Sequence, residues 1–167
     1  QELDGCRRVS VRASERTGGT MLEFSGIPAP EITAGTSSDI IAWKENGDWK
    51  TDPPSTYLRE TAGGFTYPLR PGTFFQVNNG CADIIVSIVT EICCNAKNVL
   101  DLYGGCGTFA LPLASSGAEV TSVELSRDSS VSGEEAARMH GIDGVTFLTG
   151  RARHHLLDTL RAGQNWN

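Results

Sequence analysis

The chain has 167 residues, 39% hydrophobic and 20% charged, which is room for one ordinary globular domain, or a small domain with part of another. Its net charge of −6 excludes a broad electrostatic grip on nucleic acid by this chain alone, though not a local basic groove. No apolar run approaches the roughly 20 residues of a bilayer span, and the first residues lack a charged-then-apolar signal; since the chain starts at Gln1, targeting stays open.

Residues 1–70 read as strands and turns. Val9, Val11 and Ala13 alternate with polar residues, and Thr17-Gly18-Gly19 turns the chain into Met21-Leu22-Glu23-Phe24. After a loop broken by Pro28 and Pro30, Ile40 to Trp43 runs into Asn46-Gly47, the strongest short hairpin signal, with Trp49 and Lys50 opening the return strand. Cross-strand packing is the commoner reason for two tryptophans flanking a hairpin, with base stacking the alternative. Thr51 to Pro54 breaks that strand, and Tyr57-Leu58-Arg59 and Phe65-Thr66-Tyr67 then flank a turn at Gly63-Gly64. The expectation for residues 1–70 is a β-rich antiparallel region, a meander.

The character changes near Pro68 to Gly72. From Asn78 to Cys94, Ala82, Ile85, Val86, Val89, Ile92 and Cys93 recur at spacings of three and four, which predicts an amphipathic helix. Val99, Leu100 and Leu102, with Asp101 among them, read as a strand buried on both faces of a sheet. Gly104-Gly105-Cys106-Gly107 turns the chain into an apolar helix over Thr108 to Ala114. A second strand follows at Glu119 to Glu124, a helix at Asp128 to His140 stopped by Gly141, a third strand at Val145 to Leu148, and a helix at Arg151 to Leu160. This order predicts an α/β fold, a doubly wound parallel sheet cut short at three strands.

Strand, glycine turn and helix start make a cradle for a nucleotide-like ligand, because glycine admits close backbone approach and the first helical N–H groups are unpaired. Gly105-Cys106-Gly107-Thr108-Phe109-Ala110 fits G-x-G-x-x-G/A, and Glu124 follows about 20 residues later at a strand end, where a carboxylate accepts from two ribose hydroxyls. This pattern fits a nicotinamide dehydrogenase and an S-adenosylmethionine enzyme equally.

Pro71-Gly72-Thr73-Phe74-Phe75-Gln76-Val77-Asn78, followed by Leu100-Asp101-Leu102-Tyr103 and the glycine turn, resembles the RNA uracil-C5 methyltransferase family, which forms 5-methyluridine in tRNA and rRNA. The resemblance covers most of the chain and is sharp from about residue 57 to 124. It implies a class I methyltransferase (Rossmann-like) domain over residues 71–167, its N-terminal half only, preceded by a β-rich region on the RNA side. The implied cofactor is S-adenosyl-L-methionine, with Gln76, Tyr103, Gly105, Gly107, Thr108 and Glu124 around it. Read from sequence alone, Gln76 is a turn residue, Tyr103 serves equally as core packing, and Thr108 as a helix N-cap. After the third strand relatives present Asn or Asp near the adenine, where this chain has Arg151; a guanidinium accepts no hydrogen bond, so Arg151 is left out of the site.

Uracil C5 is a poor nucleophile, and the family's solution is a cysteine thiolate that adds to C6, followed by a base that removes the C5 proton. The resemblance places both after an Asp-Pro-Pro segment beyond Asn167, so these 167 residues alone are expected to be inactive, with no catalytic residue among them. Asp52-Pro53-Pro54 lies in the β-rich region and reads as a loop. Cys6, Cys81, Cys93, Cys94 and Cys106 lack paired C-x-x-C spacing, which predicts reduced thiols in a cytoplasmic protein and no metal in this segment. Cys106 faces the cofactor or packs beneath it, and His154 and His155 read as helix-surface residues. The expected partner is a structured RNA, with no membrane and a monomeric full-length protein. The alternatives are a nicotinamide-dependent oxidoreductase fragment and a non-catalytic module binding RNA or a protein partner.

Overall fold

The structure, a computed structural model, describes residues 6–26, 37–163 and Trp166; the predicted loop with Pro28 and Pro30 lies outside them. The chain divides into two compact units, Gln1–Glu60 and Thr61–Asn167. The change of sequence character at Pro68 to Gly72 falls inside the second.

In the first unit, β1 (Arg8–Ala13), β2 (Thr20–Ser25), β3 (Ile40–Glu45) and β4 (Asp48–Asp52) form one sheet in chain order. β1 and β2 pair antiparallel, as do β3 and β4, whose turn has Asn46 at φ 53° and Gly47 at φ 92°, the positive values an Asn-Gly hairpin needs. β2 and β3, however, run parallel, Met21 opposite Ile40 and Phe24 opposite Trp43, so the region is not a simple antiparallel meander. Parallel neighbours cannot be joined by a tight hairpin and need a longer connection. The expected packing of the two tryptophans on each other is also corrected. Trp43 lies opposite Lys50 and Trp49 opposite Lys44, so the two indoles leave opposite faces of the hairpin. Trp43 packs against the buried pair Phe24 and Ile41, as do Leu22 and Cys6, whereas the Lys44 ammonium sits 5.1 Å from the centre of the Trp49 ring. β5 (Leu58–Ala62), in which the first unit ends, pairs with β6 (Phe65–Leu69) around Gly63-Gly64.

The second unit is built on a parallel sheet ordered β7 (Asn98–Leu102), β8 (Glu119–Glu124), β9 (Val145–Thr149). With it come α1 (Asn79–Ile92), α2 (Ala110–Ser115), α3 (Arg127–His140) and α4 (Ala152–Arg161). Asn78 caps α1, its Oδ1 accepting from the Cys81 N–H at 2.9 Å. Ala110, Leu113, Ala118 and Val120 form a buried cluster, flanked by Val89, Cys93, Val99, Phe109 and Val145. Two burial expectations change. Among the described residues β7 is an edge strand, so Val99, Leu100 and Leu102 are half-buried instead of enclosed on both faces. On α1 only Ala82 and Val86 are buried, while Ile85 and Ile92, predicted on the same face, stay exposed beside Ile84 and Ile88. Apolar residues run around more of α1 than its described neighbours cover.

α3 turns a face of Ser129, Ser130, Ser132, Gly133, Ala136 and Ala137 inward and ends at Gly141, left-handed at φ 65°. Small side chains there let helix and sheet approach closely. The Phe147 ring of β9 fills the space left by two absent side chains: a Cβ at Gly107 would lie 2.7 Å from Phe147 Cζ, and one at Gly133 2.6 Å from the same atom. The turn after β7 therefore rests on β9 and α3 through one aromatic ring.

A Cβ at Gly133 would also come within 2.9 Å of the Cys106 carbonyl oxygen. Gly133→Ala is expected to lower stability by about 1–3 kcal/mol, as overpacking does. Urea unfolding should show a smaller loss in a Phe147→Leu background, where the ring is gone; equal losses in both backgrounds would put the clash elsewhere.

Candidate functional site

The carboxyl-terminal ends of parallel strands are where open α/β sheets bind ligands, and the site is built there from three loops. At the end of β7, Tyr103 and Gly104 both donate to the Val123 carbonyl, at 2.9 and 3.2 Å. Tyr103 adopts φ 64°, a left-handed conformation that costs a non-glycine residue energy, and the residue is 78% exposed. Core packing, the alternative for Tyr103, is thereby ruled out. Gly107 N–H donates to Gly104 O at 2.8 Å, closing the glycine turn, and Leu111 N–H to Gly107 O at 3.0 Å, leading into α2. Thr108 lies half-buried in this turn, ahead of the helix, whose N-cap is Phe109 with no side-chain bond; Thr108 is not the cap.

Successive glycines of the turn do different work. A Cβ on Gly104 would collide with Ser122 Oγ and lie 2.6 Å from Asp101 Oδ2, so this residue packs on the sheet below. A Cβ on Gly105 would meet no atom within 4 Å: its backbone borders open space. The residues present thus leave a cradle above Gly105 that fits a ligand approaching main-chain atoms.

Glu124 at the end of β8 joins these parts. Its Oε2 accepts from the Gly105 N–H at 3.1 Å and its Oε1 from the Ser126 N–H at 2.8 Å, while its carbonyl accepts from Gly150 N–H, after β9, at 2.8 Å. Each carboxylate oxygen keeps a further lone pair for another donor. Ser126 in turn caps α3, its Oγ accepting from Ser129 N–H at 3.3 Å. Ser126 and Gly150 were missed in the sequence; a serine between a strand and a helical pattern is the N-cap signal that marks the first.

The segment before α1 alternates: Thr73 and Phe75 are buried, Phe74 and Gln76 exposed. Phe75 packs against the Tyr67 ring, centroids 5.4 Å apart. Cys106, 1% exposed, packs beneath the turn, its thiol 3.7 Å from the Phe74 carbonyl as donor. The two sequence motifs thus meet through Cys106, which holds the Gln76 segment to the glycine turn. Arg151 is the N-cap of α4 and makes no capping bond with its exposed side chain. His154 is exposed, but His155 is half-buried, with its ring folded over Gly150.

Below the turn, Asp101 Oδ2 accepts from Ser122 Oγ at 3.3 Å. Burial pushes the Asp101 carboxyl above its ordinary value; the Ser122 hydrogen bond opposes that shift and the Glu124 charge adds to it.

No protein-family model matches the chain. Over 86% of its length it is 34% identical to the 23S rRNA (uracil(747)-C(5))-methyltransferase of Pyrococcus abyssi, covering 38% of that protein. Over 93% of its length it is 30% identical to an uncharacterized RNA methyltransferase of Gloeobacter violaceus, again covering 38% of the relative. The chain therefore spans well under half the length of these curated relatives. In three dimensions it matches the Pyrococcus abyssi tRNA (uracil-54, C5)-methyltransferase solved with S-adenosyl-L-homocysteine, with a TM-score of 0.70 and 23% identity over 87% of this chain and 39% of that one. A SAM-dependent methyltransferase from Agrobacterium tumefaciens matches 95% of this chain and 56% of its own, with a TM-score of 0.57 and 16% identity. These likenesses show an α/β methyltransferase fold, and the alignments make the chain a homologue of RNA uracil-C5 methyltransferases, as its paired motifs implied.

The buried Asp101 carboxyl gives a pH test. A folded-state value above the ordinary 3.8 means that its contribution to stability is full below that pH and is lost as pH rises through the raised value. Asp101→Asn keeps an acceptor for Ser122 without the charge. Urea midpoints of the two proteins should converge at acid pH and separate in the variant's favour toward neutrality; parallel curves would contradict the assignment.

Proposed function

We propose that this homologue of RNA uracil-C5 methyltransferases is the cofactor-binding part of such an enzyme, with S-adenosyl-L-methionine as its cofactor and a uridine in structured tRNA or rRNA as its substrate. The observation that carries the reading is the Glu124 carboxylate fixed against the Gly105 N–H at 3.1 Å, beside the open space above the turn. A carboxylate so oriented keeps acceptor capacity for a pair of ribose hydroxyls. Gly105 and Gly107 bring main chain close to the nucleoside. The Gln76 amide, which both donates and accepts, suits the amino and carboxylate groups of the methionine part, as does the Thr108 hydroxyl. The Tyr103 ring, held out from the strand end by its left-handed backbone, covers the cofactor on the solvent side.

When bound, the cofactor supplies an electrophilic methyl group on a sulfonium. The work of these residues is to orient that methyl and exclude water around it, which concerns position rather than proton transfer. Of the five cysteines, Cys106 lies at the turn and is buried, so it serves packing here rather than attack on C6. The reading carries with it a cytoplasmic, monomeric enzyme without a metal in this segment. Among the described residues, no helix is long and apolar enough to cross a membrane.

Calorimetric titration of the 167-residue chain should show binding of S-adenosyl-L-homocysteine and none of NADH. Glu124→Ala should weaken that binding about 10- to 100-fold, the value of charge-assisted hydrogen bonds to one carboxylate. Binding of NADH alone would favour an oxidoreductase fragment. RNA binding with a steep salt dependence and affinity for neither cofactor would favour a non-catalytic module.

A further inference from the structure

The cofactor reading places the amino-acid part of the ligand at the turn after β7 and its ribose at Glu124 after β8. With the strands ordered β7-β8-β9, the base then extends from the ribose toward the end of β9. What the chain offers there is Gly150, Arg151 and the first turn of α4. This loop is tied to the ribose carboxylate's own residue, since Gly150 N–H donates to the Glu124 carbonyl at 2.8 Å. The adenine amino group needs an acceptor, and the Arg151 side chain has donors only.

One helical turn on, His155 N–H donates to the Arg151 carbonyl at 3.3 Å, and its imidazole folds back over the loop. A Cβ at residue 150 would lie 2.5 Å from His155 Nε2, so the ring takes this position only because residue 150 is glycine. His155 is half-buried while its neighbours Arg153 and His154 are exposed, so the ring is held at the loop instead of hanging in solvent. A neutral imidazole has one ring nitrogen with a free lone pair. We propose that His155 is the specificity residue for the adenine of the cofactor, accepting the hydrogen bond from its 6-amino group that Arg151 cannot accept. The proposal rests on the cofactor reading above. It explains how a chain with arginine at the α4 N-cap recognises adenine.

The test compares S-adenosyl-L-homocysteine with its 6-deamino analogue, whose base carries hydrogen in place of the amino group, by calorimetry on the full chain. His155→Ala should weaken S-adenosyl-L-homocysteine about tenfold and leave the analogue within twofold, as expected for one hydrogen bond. His155→Asn, whose amide oxygen also accepts, should recover part of the loss. Equal weakening of both ligands would mean that His155 only packs the loop, and no change in either would mean that it does not touch the base; both outcomes overturn the proposal while leaving the cofactor reading intact. If the wild-type chain binds neither ligand, the cofactor reading falls, and this assignment with it.

Discussion

At the end of β8 a single residue bonds to all three loops that follow the parallel strands. Glu124 accepts from Gly105 and Ser126 through its carboxylate and from Gly150 through its carbonyl. Each of these loops would otherwise leave main-chain N–H groups without partners at a sheet end, and the bonds fix how far the turn after β7 stands from the loop after β9. The same carboxylate is the group proposed to hold the ribose. Its orientation is therefore set before any ligand arrives, which spares binding the cost of ordering a long acidic side chain.

The glycine turn is supported from beneath as firmly as it is held from above. Phe147 fills the gap between Gly107 and Gly133, and Gly104 packs on Ser122 and Asp101. Of the three glycines in the turn, Gly105 alone borders open space. A row of glycines that looks uniform thus separates into two that let the structure close and one that leaves room for a ligand. Cys106 belongs with the first group: its thiol joins the turn to the Phe74 carbonyl, so that the Gln76 segment and the turn keep one spacing. Asp101 illustrates the cost of this close fit, being held under the turn with its carboxyl pushed toward the neutral form.

Much of the fold was legible because its signals are local. Asn46-Gly47 demands positive φ at both turn positions and obtains it; Gly141 stops α3 in the left-handed conformation; the order of strands and helices from Asn98 onward follows from apolar periodicity. The paired motifs at residues 71–78 and 100–107 likewise carried the resemblance to RNA uracil-C5 methyltransferases, which homology over most of the chain supports. Less legible were features that depend on which elements become neighbours. The parallel pairing of β2 with β3, the opposite faces taken by Trp43 and Trp49, and the exposed row of isoleucines on α1 all turn on distant partners.

The sequence by itself therefore determined where strands, turns and helices lie, and that a glycine turn is followed by a carboxylate at the next strand end. Spacing along one chain segment suffices for that. Tertiary structure decided that Glu124 grips the turn as well as facing the cradle, that Tyr103 points outward, and that His155 lies over Gly150 instead of on an open helix surface. The physical reason is that hydrogen-bond partners and the volume left by an absent side chain are properties of segments far apart in sequence, fixed only when the sheet brings their ends together.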